Sequence, residues 1–449
     1  MTDNCIKENN QKVNSQKEAS LERNQEAMEG DFDILEETMI DAIEFLNNTN
    51  PDAKEQFISR EELTVPDNSY GDLDIERVEK NLRILQERMQ KGFEGNESGE
   101  VLRRLMEDNL YQNLFVKLCY RYNQGERTDD LIERHRFVNE ILYGRISRDH
   151  FDAILKGQLE EIKRKTLSDE EEQIRRELFE RLPFEDLRAG KVAEPSDQLF
   201  ERFGKICEEY LQYILRHIPE QEKYTPQEVC NIANEIFETE FAGKGWKAEV
   251  KAQKAFASVN QETRIFNVPG KRSKGEFYFK DVKGLFAHEI GVHVVRSIPY
   301  QSCKIKAFSR GIPGYIGFEE GLANAVQHSI LHEKAPSGHL HYVSIGLAVF
   351  FHLNFREVYE IQWRIQRLLG KANKMQCFDS VQRAFRGTGY LVNSKDIAYF
   401  EGYEKVWKFI EENMEKADMM DELFGLGKID LTDAFWRDAA KSAKHWLTQ

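Results

Sequence analysis

From about Leu73 to Glu240 apolar residues recur at three- and four-residue steps, the period of a helix with one buried face. Leu82, Leu85 and Met89 make one stripe, and Leu110, Leu114, Leu118 and Tyr122 another. Ile132, Phe137, Ile141 and Leu142 continue the pattern, with Phe179 and Leu182 beyond. The period is not held over enough heptads for a coiled coil, so packed helices are expected. After Gly243-Lys244-Gly245 the pattern changes: Trp246 to Ser258 and Arg264 to Val268 read as strands, with Asn260 at the turn, and Gly275 to Phe279 as a third. Helical spacing returns near Asp281, where Leu285, Val292, Val294 and Val295 supply a buried face. Gly311-Ile312-Pro313-Gly314 forms a loop before Glu320 opens a further helix with Leu322, Val326 and Ile330 as its core stripe. Helices from about 340 to 375 and 400 to 417 follow.

The first 30 residues are rich in Asn, Gln, Lys, Glu and Ser, and cannot offset the entropy of ordering. One short amphipathic helix is expected between Phe32 and Leu46. The expected division is an acidic, largely disordered tail (1–70), a helical domain (71–243) and a catalytic domain (244–449).

The chain has 449 residues, 40% of them hydrophobic, and a formal charge of −15. Residues 1–70 carry 17 acidic and 6 basic side chains, whereas residues 244–320 carry 7 acidic and 14 basic. The basic stretch suits attraction of an acidic peptide or a terminal carboxylate, and is equally compatible with a merely solvated surface. It lacks the aromatic interleaving of a strand-binding platform, so no nucleic-acid partner is expected. The six cysteines lie scattered, without pairs or CxxC spacing, which fits a reducing compartment. The first residues contain no apolar signal segment, and the longest apolar run, Val343 to Phe351, is too short to span a bilayer. A cytoplasmic protein without a membrane partner is expected.

The candidate chemistry lies in His288-Glu289-Ile290-Gly291-Val292-His293, followed by Glu319-Glu320-Gly321-Leu322-Ala323. Two imidazoles, a carboxylate ligand, an open position for water and a glutamate to accept its proton make up a catalytic zinc site. The histidines stand five apart, which on a regular α-helix leaves them about 140° apart. A single π-type turn would bring them into line, and Gly291 makes that distortion, or an early helix ending, cheap. Local spacing does not separate Glu319 from Glu320 as ligand. His328 and His332, four apart, form a rival pair without a neighbouring base, and His339 and His341 read as loop histidines. Arg310, Arg383 and Arg386 are candidates to grip a terminal carboxylate, since a guanidinium fork matches its two oxygens. Tyr399 is either an oxyanion donor beside the metal or a core tyrosine.

The motif resembles that of the MATCAP-type tubulin tyrosine carboxypeptidases and their bacterial relatives, in which an HExxxH helix is followed by E-E-G-L-A or Q-E-G-L-P. Arg386-Gly387-Thr388 and the segment from Lys395 to Gly402 resemble the family's R-G-T and K-D-x-x-Y-x-x-G, and Trp246 to Val250 the start of its catalytic part. The resemblance is dense over residues 280 to 325 and looser from about residue 70 to the C-terminus. It implies zinc held by His288, His293 and Glu320, with Glu289 as general base; it also favours Arg386 for substrate and leaves Glu319 outside the metal's ligands. The implied fold is α+β and predominantly helical: a zincin-like catalytic domain with a small edge sheet and a metal-binding helix, preceded by a helical domain. The implied activity is zinc-dependent removal of a C-terminal residue, tyrosine or another bulky one, from a protein or peptide tail. The alternatives are a zinc endopeptidase and a non-catalytic scaffold with a degenerate metal site.

Overall fold

The computed structural model describes residues 30–40, 42, 57–58 and 74–446, apart from 94–96, 183–185, 189, 191–193, 255, 271–274, 335–337 and 372. The segment expected to be disordered lies outside the described residues. Of the short helix expected between Phe32 and Leu46, α1 covers 30–38; residues 39 and 40 are not helical, and 41 and 43–46 lie outside the described residues.

After α1 come α2 (Ile75–Gln90), α3 (Glu97–Asn123), α4 (Asp129–Tyr143), α5 (Arg148–Arg164), α6 (Asp169–Arg181) and α7 (Asp197–Tyr210). Several open on side-chain caps readable in the sequence. Ser168 and Glu171 close a capping box on α6, and Thr225 and Glu228 do the same for α8 (Pro226–Thr239). One expected stripe is corrected. On α4 Ile132, Phe137 and Ile141 are exposed, and the buried face is Leu131, His135, Val138 and Asn139. Both faces carry residues at helical spacing, and the neighbouring α3 selects the one that holds Leu131 and Val138.

The sheet content is small. β2 (Lys247–Lys251), β3 (Ser258–Asn260) and β4 (Ile265–Pro269) form a sheet of order β2-β4-β3, in which β2 runs parallel to β4 and β3 antiparallel. The expected single strand from Trp246 to Ser258 is thus two strands, and β3 is left at an edge. The third expected strand, β5 (Phe277–Tyr278), pairs instead with β1 (Lys223–Tyr224). This is an α+β, predominantly helical fold.

The metal-motif helix begins as α9 (Phe279–Leu285) and continues as a π-helix over Phe286–Val294. The later helices are α10 (Tyr315–Ile330), α11 (His339–Phe350), α12 (Phe355–Leu368), α13 (Lys374–Ala384), α14 (Ala398–Asn413), α15 (Met419–Gly425) and α16 (Ala434–Trp446). Glu320 therefore lies in the second turn of α10 rather than opening it, because the helix starts at Gly314, whose φ of 77° suits a glycine at the boundary.

The core does not divide at residue 243. Phe203, Leu211 and Ile214 share one cluster with Phe286, Ile290, Leu322 and Val326. A second cluster joins Phe151 and Leu155 of α5 to Tyr342, Phe355 and Phe378. Helices from before the strands thus cover the metal helix on one side and α11 to α13 on the other.

Candidate active site

Nine residues of π-helix put His288 and His293 on the same side, with ring centroids 5.0 Å apart. A repeat with i→i+5 hydrogen bonding returns to the same face after five residues, which the HExxxH spacing requires. Gly291 has a second role besides easing the turn. A β-carbon there would lie 2.8 Å from Leu211 Cδ1, so the glycine lets the helix sit close against the core.

His288, His293 and Glu320 meet with their candidate ligand atoms all within 4.8 Å of one another, the one such group of three or more among the described residues. His288 Nε2 lies 3.8 Å and His293 Nε2 3.9 Å from Glu320 Oε2. The opposite ring nitrogens are occupied: His288 Nδ1 is 2.9 Å from Gln327 Oε1, and His293 Nδ1 is 2.9 Å from Glu319 Oε1. Those oxygens accept, so each imidazole donates from Nδ1 and keeps the Nε2 lone pair for a cation. This donor set fits zinc: two imidazoles and one carboxylate, with no fourth protein ligand among the described residues.

Glu319, adjacent in sequence to Glu320, has a different task. It is buried, hydrogen-bonded by Arg296, and 3.1 Å from Lys428 Nζ. Arg296 is itself fully buried and also donates to the Ile429 carbonyl at 3.0 Å. Burial opposes ionisation of Glu319, but the charges of Lys428 and Arg296 and the His293 hydrogen bond hold its carboxyl well below the usual range. Burial likewise opposes ionisation of Glu320, yet the closeness of His288 and the charges of His293 and His288 hold it down to about 2. At His288 burial disfavours the proton, but the closeness of Glu320 and the charges of Glu289 and Glu320 outweigh it and raise the pKa. Sequence reasoning missed Arg296, Lys428 and Gln327, since nothing local marks them.

The group opens into a cavity of about 1160 Å³ whose lining includes His288, Glu289, His293, Glu320 and Tyr399. Glu289 is buried beside the group. The charge of Glu320 raises the Tyr399 hydroxyl far above its ordinary value, and burial adds to this, so the phenol remains a hydrogen-bond donor. Tyr399 comes so near because α10 and α14 cross at glycines. A β-carbon on Gly321 would overlap the Gly402 carbonyl, and one on Gly402 would overlap that of Gly317. The edge strand β3 also borders the cavity, as do Lys304, Lys306, Arg310, Lys395, Lys405 and Lys428.

Arg310 stands in this wall, paired with Glu36 of α1 at 3.1 Å. Arg386 does not belong to the lining. Arg386 and Arg383 approach Asp396 Oδ2, at 3.6 and 3.5 Å, and Asp396 is buried within the turn Lys395–Ile397 that leads to Tyr399. Burial opposes ionisation of Asp396, but the charges of Arg386 and Arg383 hold its carboxyl well below the usual range. The R-G-T segment builds a turn: Gly387 has φ 95°, and Thr388 Oγ1 accepts from Leu391 N at 2.7 Å. His328 and His332 do not chelate together. His332 turns outward to Glu201 at 3.3 Å, while His328 packs on Tyr403 and burial pushes it down to about 4. His339 and His341 lie in the first turn of α11 rather than a loop, with His341 Nδ1 3.1 Å from Ser380 Oγ.

A family model described as microtubule-associated tyrosine carboxypeptidase matches residues 190–436, more than half of the chain. The chain belongs to this family, a family of carboxypeptidases, and the kinship makes it a peptidase. The match begins before α7, so it takes in the helices that cover the metal motif as well as the motif. No curated protein matches the chain.

Proposed function

We propose that the protein is a zinc-dependent metallocarboxypeptidase that removes a C-terminal residue, tyrosine or another bulky one, from a protein or peptide tail. The observation that carries this is the convergence of His288, His293 and Glu320 beside Glu289 at the wall of one large cavity. The two histidines and Glu320 would hold the zinc, which when bound polarises a carbonyl and lowers the pKa of water. Glu289 takes the proton from the attacking water on a carboxylate oxygen and passes it to the leaving amine. The Tyr399 hydroxyl donates to the substrate carbonyl oxygen as negative charge builds there. The edge of β3 offers main-chain donors and acceptors to an extended tail. Its described cysteines are free and buried, in keeping with a cytoplasmic setting.

A scaffold with a structural zinc site would close the ion with a fourth ligand, and the cysteine nearest the motif in sequence is Cys303. Cys303 is absent from the ligand group and from the cavity lining, and burial pushes its thiol up to about 11. Neither described helices nor their apolar runs suit a membrane span.

The test uses peptides ending in tyrosine, with free or amidated C-termini, and mass spectrometry of the products. Loss of one C-terminal residue from the free peptide alone is expected; internal cleavage of the amidated one would overturn the exopeptidase reading. Glu289→Gln should keep the zinc and lose about 10²- to 10⁴-fold in turnover. His293→Ala should lose both.

A further inference from the structure

The helix α1 carries Asp31, Asp33, Glu36 and Glu37 and no basic residue, yet it forms part of the wall of the cavity that holds the candidate metal ligands. It is seated by contacts specific to its own backbone. Asn109 Nδ2 donates to the Leu35 carbonyl at 3.1 Å, and Asn113 Nδ2 to the Thr38 carbonyl at 2.9 Å. Both asparagines are buried. These amides satisfy carbonyls that the end of a helix leaves without internal partners. Two of its carboxylates are held on the outer side, Asp31 by Arg88 at 2.6 Å and Glu37 by Lys80 at 2.7 Å. Neither Arg88 nor Lys80 borders the cavity. Glu36 alone reaches across to a cavity cation, Arg310, on the far side of the metal motif in sequence.

We propose that Glu36 is a specificity-determining residue: it occupies Arg310, so an acidic peptide tail enters the cleft by displacing Glu36 from that guanidinium. This rests on the carboxypeptidase reading above. A tail without acidic side chains does not compete for that guanidinium through its preceding positions and enters with the pair intact. The buried asparagines keep α1 in place while the pair opens, so selectivity is set by one side chain rather than by movement of the helix. Glu36 is partly exposed, at 43% for its side chain, which keeps the pair weak enough to be displaced.

The experiment measures binding, so that it does not depend on turnover. Two labelled peptides of equal length end in tyrosine, one with glutamates and the other with glutamines at the preceding positions. Their dissociation constants are read by anisotropy on the full-length, zinc-loaded protein carrying Glu289→Gln. Adding Glu36→Gln should tighten the acidic peptide about two- to five-fold, the size of an exposed ion pair, and leave the neutral peptide unchanged. Arg310→Gln should weaken the acidic peptide, and Glu36→Gln placed on top of it should then add nothing. The difference should shrink at high salt. Equal tightening of both peptides, no tightening of either, or no binding of either would overturn the proposal. Loss of cleavage by the unmodified protein, with these affinities intact, would overturn the carboxypeptidase reading instead.

Discussion

Gly402 of α14 packs against Gly317 of α10 so closely that a β-carbon on it would overlap the Gly317 carbonyl. Tyr399 precedes Gly402, and Glu320 follows Gly317, each by three residues, nearly one helical turn, so this crossing sets the distance between phenol and metal site. Gly402→Ala should force the helices apart, lowering stability by about 1–3 kcal/mol and reducing kcat. A thermal melt and peptide turnover check both effects. An alanine variant with native stability and rate would mean that the crossing does not position Tyr399.

Glu319 links His293 to Arg296 and Lys428, two cations brought from distant parts of the chain. Glu319→Gln should reduce zinc affinity about 10- to 100-fold, as loss of a carboxylate behind a ligating imidazole does elsewhere. It also leaves two buried cations without their anion, so the denaturation midpoint should fall. Competition with a chelator reads the first effect, and unchanged zinc affinity would remove Glu319 from the site.

Tyr399 and Arg386 lie in one motif-rich stretch but are expected to fail differently. Tyr399→Phe removes one donor to the developing oxyanion and should lower kcat by about 10²- to 10³-fold with little change in KM. Arg386→Met removes one cation beside the buried Asp396, so it should cost stability, by about 3–5 kcal/mol, before it affects KM. Steady-state kinetics with urea unfolding separates the two. A raised KM in a stable Arg386→Met protein would return that arginine to the substrate.

Stability should also depend on pH through His135, which burial pushes down to about 3 and which packs on Phe115 at 4.8 Å. Its ordinary pKa is near 6.5, so on acidification the unfolded chain takes up the proton first, and stability falls below that pH. Between pH 7 and pH 5 this single group accounts for about 2 kcal/mol. His135→Phe should flatten that part of the profile, measured by urea unfolding at the two pH values. An unaltered profile would assign the acid sensitivity elsewhere.

Much of the site was legible because its rules are local. A five-residue histidine spacing demands a π-type turn, and the helix adopts one over Phe286–Val294. The capping pairs Thr225–Glu228 and Asn354–Glu357 mark helix starts for the same reason, since each side chain reaches only a backbone group within one turn. Likewise the α10 stripe of Leu322, Val326 and Ile330 is buried at its expected spacing.

Other matters depended on which surfaces meet. Ile132, Phe137 and Ile141 had the period of a core face, yet α3 covers the other side of α4. Arg310 and Arg386 were equivalent as arginines; packing puts one in the cavity wall against Glu36 and the other beside Asp396. Spacing alone did not separate Glu319 from Glu320. They separate in space because one position on α10 faces the two imidazoles and the next faces Arg296 and Lys428. A helix period specifies which residues share a side. What stands opposite that side, and hence whether a carboxylate holds a metal or a buried cation, is decided only when helices distant in sequence pack together.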